Sequence, residues 1–249
     1  MNTADRCFKV AGRAEKCGAI VFYFVLLSSA VLVAFESPLI DSICHPCLIA
    51  AAALAVFSTV ITTIYQTDGN RALRATQLSH ALGAGVGEPV RSDYYNNILP
   101  TSLLKLGATT LENALNTKAV LSKMAVKMRF KVGIYFVLLL VLSTYRATPT
   151  GWIVVLAQTL FSADLLLKLT RLERFRVRTI RAHDHLEQFF LQAGGTERPN
   201  DLAVLIGAFT DYECAKDEAA IPLETKIFED LNPELSQKWD EMKHRLKLG

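Results

Sequence analysis

The chain lacks the short motifs through which most enzymes can be recognised: it has no GxGxxG, no phosphate-binding Walker loop, no HExxH and no GxSxG. Nor does any Ser, His and acid triad assemble from sequence, so the expectation is a protein without catalysis, cofactor or metal. Charge is missing as well, and in a pattern. Cys17 to Phe35 and Ile43 to Tyr65 contain no Asp, Glu, Lys or Arg, and one such residue at a helix centre in a bilayer would cost at least about 2.5 kcal/mol. The turn between them, Glu36 to Ser42, has no Lys or Arg, and the turn after Tyr145 offers only Arg146.

What is present in those charge-free stretches is apolar over the right length. A bilayer core of about 30 Å needs roughly 17 to 25 apolar residues at about 1.5 Å rise. Cys17 to Phe35 and Ile43 to Tyr65 meet this, giving a first hairpin. Val132 to Tyr145 is short, but Lys131 and Arg146 have stems long enough to reach opposite headgroup layers. Gly151 to Leu167 completes a second hairpin, with Trp152 suited to an interface and Asp164 near the end that precedes Lys168. The predicted fold class is an all-α membrane protein, four transmembrane helices as two hairpins with cytosolic helical extensions.

The basic residues then set orientation. Arg6, Lys9, Arg13 and Lys16 precede the first span; Arg71, Arg74, Arg91, Lys105, Lys118, Lys123, Lys127, Arg129 and Lys131 fill the middle stretch; Lys168, Arg171, Arg174, Arg176, Arg178 and Arg181 follow the last span. All of these clusters fall on one side, which predicts a multi-pass protein of a bacterial inner membrane with both termini and the middle stretch cytoplasmic. Cys17 to Phe35 is long for a signal-peptide core, and ESPLIDS is not a small-residue cleavage pattern, so the first helix is expected to be retained. Neither end carries a lipidation signature.

The organisation expected is a cytosolic segment over residues 1–16, a transmembrane hairpin over 17–65, a cytosolic helical linker over 66–131, a second hairpin over 132–168 and a cytosolic helical region over 169–249. NTKAVLSKMAVKMRFK, residues 116–131, holds no Gly or Pro and predicts a long helix entering the bilayer with a cationic face. Gly83 to Pro100 is rich in Gly, Pro and Asn and reads as a loop or hinge. RLERFRVRTIRAHDHLEQFFLQ predicts a helix that ends at AGGTERPN. Asn200 or Asp201 is expected to cap the next helix, and Asn232 with Pro233 to start the last one. On that last helix Leu235, Trp239, Met242 and Leu246 form an apolar face that calls for a partner, in the chain or in another subunit.

The two hairpins with cytosolic helices, together with ENALNTKAVLSKMAVKMRFK leading into the second hairpin, resemble the SMODS-associated four-transmembrane family of the wider SLATT group. The resemblance implies a bacterial membrane effector that forms pores when a cyclic-nucleotide-producing or reverse-transcriptase partner detects phage. It covers the layout of most of the chain and transfers no individual site residue.

Candidate site residues follow from physics. Ala51, Ala55, Ser58 or Thr59, Thr62 and Gln66 form a small polar stripe on the second span, which serves either close helix packing or, in a homo-oligomer, the wall of a pore. Asp164 is an ion-selectivity or proton site, or the partner of Lys168 four residues on. Arg171, Arg174, Arg176, Arg178 and Arg181 form a basic stripe that suits anionic lipid headgroups at about 1 kcal/mol each. The acidic region from Glu197 onward argues against nucleic acid. Cys44-His45-Pro46-Cys47 lacks a thioredoxin-like context and a second ligand pair and reads as packing, with a disulfide as the alternative; Cys7, Cys17 and Cys214 are expected to be reduced thiols. His183-Asp184-His185 reads as a solvated helix face, since residues two apart on a helix diverge.

Three functions remain on these grounds. The first is an oligomeric effector that permeabilises the membrane in anti-phage defence, triggered by a cyclic nucleotide or a nucleotide-signalling partner protein. The others are a non-conducting membrane scaffold or sensor that recruits cytosolic proteins, and a small transporter, which the lack of a repeat between the hairpins disfavours.

Overall fold

Long helices dominate the described residues, two of them running through an internal proline, Pro46 and Pro233. The computed structural model describes residues 2–35, 38–85, 99–144, 150–160, 163–193 and 199–248, and among these every regular element is helical. The order is α1 (Thr3–Ala34), α2 (Pro38–Leu82), α3 (Leu103–Thr144), α4 (Thr150–Leu160), a π-helical turn (Ala163–Leu167), α5 (Lys168–Ala193), α6 (Pro199–Ala219) and α7 (Thr225–Leu246). The protein is therefore all-α, with seven α-helices among the described residues.

α1, α2 and α3 have 32, 45 and 42 residues, hence lengths of about 48, 68 and 63 Å. Each exceeds the thickness of a bilayer core, so no break separates the apolar stretches from the polar sequence that continues them. Among the described residues α1 and α2 are long and apolar enough to cross a membrane by length and composition. The apolar run ending α3 is shorter, and α4 spans only 11 residues before residues 161–162, which lie outside the description.

The chain divides into two compact units. The apolar unit comprises Phe8–Tyr65 and Ala125–Thr170; the charged unit comprises Met1–Cys7, Gln66–Met124 and Arg171–Gly249. In the apolar unit Ala14, Gly18 and Ser58 join α1 to α2, and Gly151 lies against Val33. Lys131 of α3 places its ammonium 5.4 Å from the Phe22 ring and 5.1 Å from the Tyr23 ring of α1, a cation held by the faces of an edge-to-face aromatic pair.

In the charged unit the core is apolar on four helices. Ala108, Leu111 and Leu115 of α3 meet Leu186, Phe189 and Phe190 of α5, Leu205 and Ala208 of α6, and Trp239, Met242 and Leu246 of α7. The apolar face expected on the last helix thus finds its partner inside the chain. Gly83 ends α2 with φ of 68°, a left-handed conformation that glycine adopts without a Cβ penalty. Ser102 then caps α3: its hydroxyl accepts from the Lys105 N–H at 3.2 Å, while its own N–H donates to the Ala81 carbonyl at 2.9 Å. The rest of the expected Gly83 to Pro100 loop, residues 86–98, lies outside the described residues.

Two expected helix starts are corrected. α6 begins at Pro199, so Asn200 and Asp201 are inside it; proline is favoured in a first turn because its missing N–H leaves no bond unmade there. α7 begins at Thr225 and carries Pro233 in its interior. Pro233 is exposed, so the carbonyl one turn before it can bond water, and no Gly or other Pro within α7 breaks the helix ahead of it.

Candidate functional site

The polar residues of the charged unit are not only on its surface. Asn70, Thr76, Gln77, Thr109, Thr110, Thr117, Thr179, His183 and Glu213 are buried, which is costly unless each finds a hydrogen bond. Thr109 and Thr110 bond back to the carbonyls of Lys105 and Leu106 at 2.9 and 2.7 Å. Gln77 of α2 donates to the Thr110 hydroxyl at 3.1 Å, and Thr117 of α3 pairs with the Tyr212 hydroxyl of α6 at 2.9 Å. A polar seam therefore fixes the register of α2, α3 and α6 where an apolar seam would let them slide.

Ionic contacts extend the seam. Arg74 of α2 donates its Nε to Glu213 at 3.0 Å and a terminal nitrogen to Asp217. Lys216 lies 2.8 Å from the same Glu213, and Asn70 Nδ2 donates to the Lys216 carbonyl at 3.4 Å. Burial pulls the Arg74 guanidinium down, but bonds to Asp217 and Glu213 outweigh it and hold its pKa above the ordinary value. On α5, Arg178 bridges Glu218 at 2.7 Å and Asp211 at 3.3 Å. The bond to Glu218 raises its pKa first, with Asp211 adding to it against some desolvation. The acidic residues of α6 are thus counter-ions for cations of α2 and α5.

A second cluster joins α3, α5 and α7. His183 is 2% exposed; its Nδ1 lies 3.0 Å from Asp184 Oδ1 and 3.7 Å from Glu187 Oε2. Lys118 Nζ stands 3.1 and 3.0 Å from the two ring nitrogens. Lone pairs of the two nitrogens point apart, so the ammonium lies across the ring and can bond at most one of them. Arg245 of α7 pairs with Glu187. Burial lowers the pKa of both His183 and Lys118, against the pull of Asp184 and Glu187. His183 Nδ1, Asp184 and Glu187 have their donor atoms close enough to hold a cation, and the charged partners already there are Lys118 and Arg245. The expected solvated face is corrected for His183, which turns inward, while Asp184 and His185 are exposed.

Glu112 on α3 is half-buried, with its Oε2 shut off from solvent. Its Oε2 has no hydrogen-bond partner among the described residues. Burial pushes its pKa up to about 7, with Lys243 opposing and Asp240 adding to the rise.

The residues singled out from sequence fall as follows. On α2, Ala51, Ser58 and Gln66 are buried, Ala55 and Thr62 half-buried, and Thr59 exposed. The Ser58 hydroxyl donates to the Ala14 carbonyl of α1, while Thr59 and Thr62 bond back to Ala55 and Ser58 at 2.9 and 2.8 Å. The stripe is a packing face at Ser58. Asp164 lies in the π-helical turn, its side chain outside the described residues, and Lys168 pairs with Glu15 of α1. Of the basic stripe, Arg171, Arg174 and Arg181 are exposed, Arg178 is held by α6, and Arg176 donates to Ser122 at 3.2 Å and reaches Glu173 at 3.5 Å. Cys44 and Cys47 are free thiols on α2, as are Cys7, Cys17 and Cys214 elsewhere.

The seam, the Lys118–His183 contact and Glu112 were missed from sequence. The available signal was the i, i+4, i+7 spacing of Asn70, Arg74 and Gln77 on one face of α2, with Glu213 and Asp217 four apart on α6. No family model, no curated protein and no solved structure matches the chain.

Proposed function

We propose that the chain is an integral membrane protein whose apolar unit forms two hairpins of four spans, and that it acts as an oligomeric effector permeabilising a bacterial inner membrane. The observation that carries the membrane reading is the exposure of the apolar unit. Ile20, Leu27, Ile49, Phe57 and Phe130 are 70, 66, 73, 66 and 72% exposed, and Phe136, Val137, Leu140 and Val141 continue the pattern on α3. Contiguous apolar surface on this scale is unfavourable in water and favourable against lipid tails. The basic residues flanking the spans favour a cytoplasmic charged unit.

The effector reading draws on the family resemblance and on Asp164, a carboxylate within an otherwise apolar stretch, at a π-helical turn of a kind frequent at functional sites. Four helices cannot enclose a wide channel, so the pore requires several subunits, with α2 facing the axis. The trigger is a cyclic nucleotide or a nucleotide-signalling partner protein that acts on the charged unit in anti-phage defence. The test is induction in bacteria with and without the neighbouring genes, following membrane potential and growth. Depolarisation on triggering supports the effector; intact potential and normal growth under every trigger overturn it.

A second reading, a non-conducting membrane scaffold or sensor that recruits cytosolic proteins, is favoured by one observation. Ser58, at the middle of the polar stripe, spends its hydroxyl on the Ala14 carbonyl within the same chain. Specific co-purification of cytosolic proteins without depolarisation is the result that distinguishes it.

A further inference from the structure

The outward face of α1 changes character along its length. At 3.6 residues per turn Lys9, Arg13 and Lys16 fall within about 60° of arc, all three are exposed, and none is ion-paired among the described residues. Further along the same arc come Ile20, Tyr23, Phe24 and Leu27, exposed by 70, 51, 47 and 66%. The opposite face does the packing. Ala11 is buried there, the Ala14 carbonyl accepts from Ser58, Glu15 pairs with Lys168, and Gly18 lies against Ser58. The three cations therefore serve no contact inside the unit; Glu15 is turned away and paired with Lys168, and Asp5, exposed one turn before Lys9 on the same arc, leaves the α1 stretch from Lys9 to Lys16 with a net positive face.

The dimensions fit a membrane boundary. Lys16 and Ile20 are separated by about 6 Å along the axis, and Lys9 and Lys16 by about 10 Å. A headgroup layer is about 5–7 Å thick in each leaflet. With the apolar arc in the acyl region, Lys16 and Arg13 reach lipid phosphates, and Lys9 lies within the roughly 8 Å over which a charged surface acts.

We propose that Lys9, Arg13 and Lys16 form a binding surface for anionic phospholipid headgroups that holds α1 at a fixed depth. This rests on the membrane reading above. It adds a lipid contact on α1 to the one expected on α5, where Arg176 and Arg178 are engaged within the charged unit and Arg171, Arg174 and Arg181 stay exposed.

The test uses the full chain reconstituted in vesicles of equal parts phosphatidylcholine and phosphatidylglycerol, with spin-labelled forms of each lipid reporting their relative association with the protein. Wild type is expected to prefer phosphatidylglycerol several-fold, since each charge near the surface is worth up to about five-fold. A Lys9→Gln, Arg13→Gln, Lys16→Gln variant should fall to near parity, and an Arg171→Gln, Arg174→Gln, Arg181→Gln variant should keep most of the preference. Absence of preference in wild type, or its loss in the α5 variant alone, overturns the proposal. Alkaline carbonate extraction separates the two readings. A chain that washes off defeats both, whereas one that stays embedded without lipid preference defeats only the headgroup surface.

Discussion

Gly18 of α1 and Ser58 of α2 meet so closely that a methyl group on Gly18 would stand 2.7 Å from the Ser58 hydroxyl oxygen. That hydroxyl is already bonded to the Ala14 carbonyl, so it cannot turn aside without breaking the bond. Replacing a helical glycine by alanine ordinarily stabilises by about 1 kcal/mol. Here the clash, of the order of 1–3 kcal/mol for overpacking, should reverse the sign. Gly18→Ala is expected to lower the unfolding temperature in detergent, and Gly18→Ala with Ser58→Ala to recover most of the loss. A stabilised single variant would mean that α1 and α2 do not pack here.

Arg74 neutralises a carboxylate that water hardly reaches, the Glu213 side chain being 3% exposed. Breaking a buried pair costs about 3–5 kcal/mol when the remaining charge is left alone. Lys216 remains 2.8 Å from Glu213, so Arg74→Ala is expected to cost less, about 2–3 kcal/mol. Adding Glu213→Gln should restore part of that, because the orphaned charge is then gone. Chemical denaturation of the four proteins in this cycle measures the coupling, and strictly additive effects would show that the pair is not a unit.

The apolar pattern was readable because it depends on spacing along one helix. Leu235, Trp239, Met242 and Leu246 are buried as a face, and α5 ends where its composition breaks. Polar residues were not readable in the same way. Arg74 and Glu213 are 139 residues apart, and nothing local to Arg178 distinguishes a lipid contact from the bridges it makes with Asp211 and Glu218. His183 reads as solvated because residues two apart on a helix diverge and serve one metal poorly, a rule that does not say which of them turns inward; the helix turns His183 toward Lys118. Asn232 and Pro233 have the form of a helix start, but residues 225–232 hold no Gly or Pro, and the helix runs through an exposed proline.

Asp164 offers a test confined to the pore reading. Lys168, the counter-ion expected for it, pairs with Glu15. A carboxylate ring near the end of a pore favours cations, so Asp164→Ala should shift the reversal potential of reconstituted channels toward anion permeation and reduce toxicity on expression. Toxicity equal to wild type at equal protein level would remove Asp164 from the mechanism. Lys168→Gln should leave selectivity in place and loosen α1, which thermal unfolding in detergent would register.

Glu112 and His183 give the charged unit two opposed pH dependences. For Glu112 the folded pKa is raised from 4.5 to about 7, first by burial. Its stabilising contribution is therefore fully present below 4.5, declines as pH rises, and is lost above about 7, a span worth roughly 3 kcal/mol. For His183 the folded pKa is lowered from 6.5, again first by burial. Its contribution is present above 6.5 and is lost as pH falls through the folded value. Where the two titrations overlap, above pH 4.5 and below 6.5, wild type should show a shallower stability profile than either single variant. Glu112→Gln should expose the rise due to His183, and at pH 8 it should be more stable than wild type. His183→Gln should expose the fall due to Glu112. Fluorescence of the buried Trp239 in a Trp152→Phe background, followed through urea unfolding at each pH, reads the charged unit alone. Three parallel profiles would show that neither group titrates differently in the folded unit.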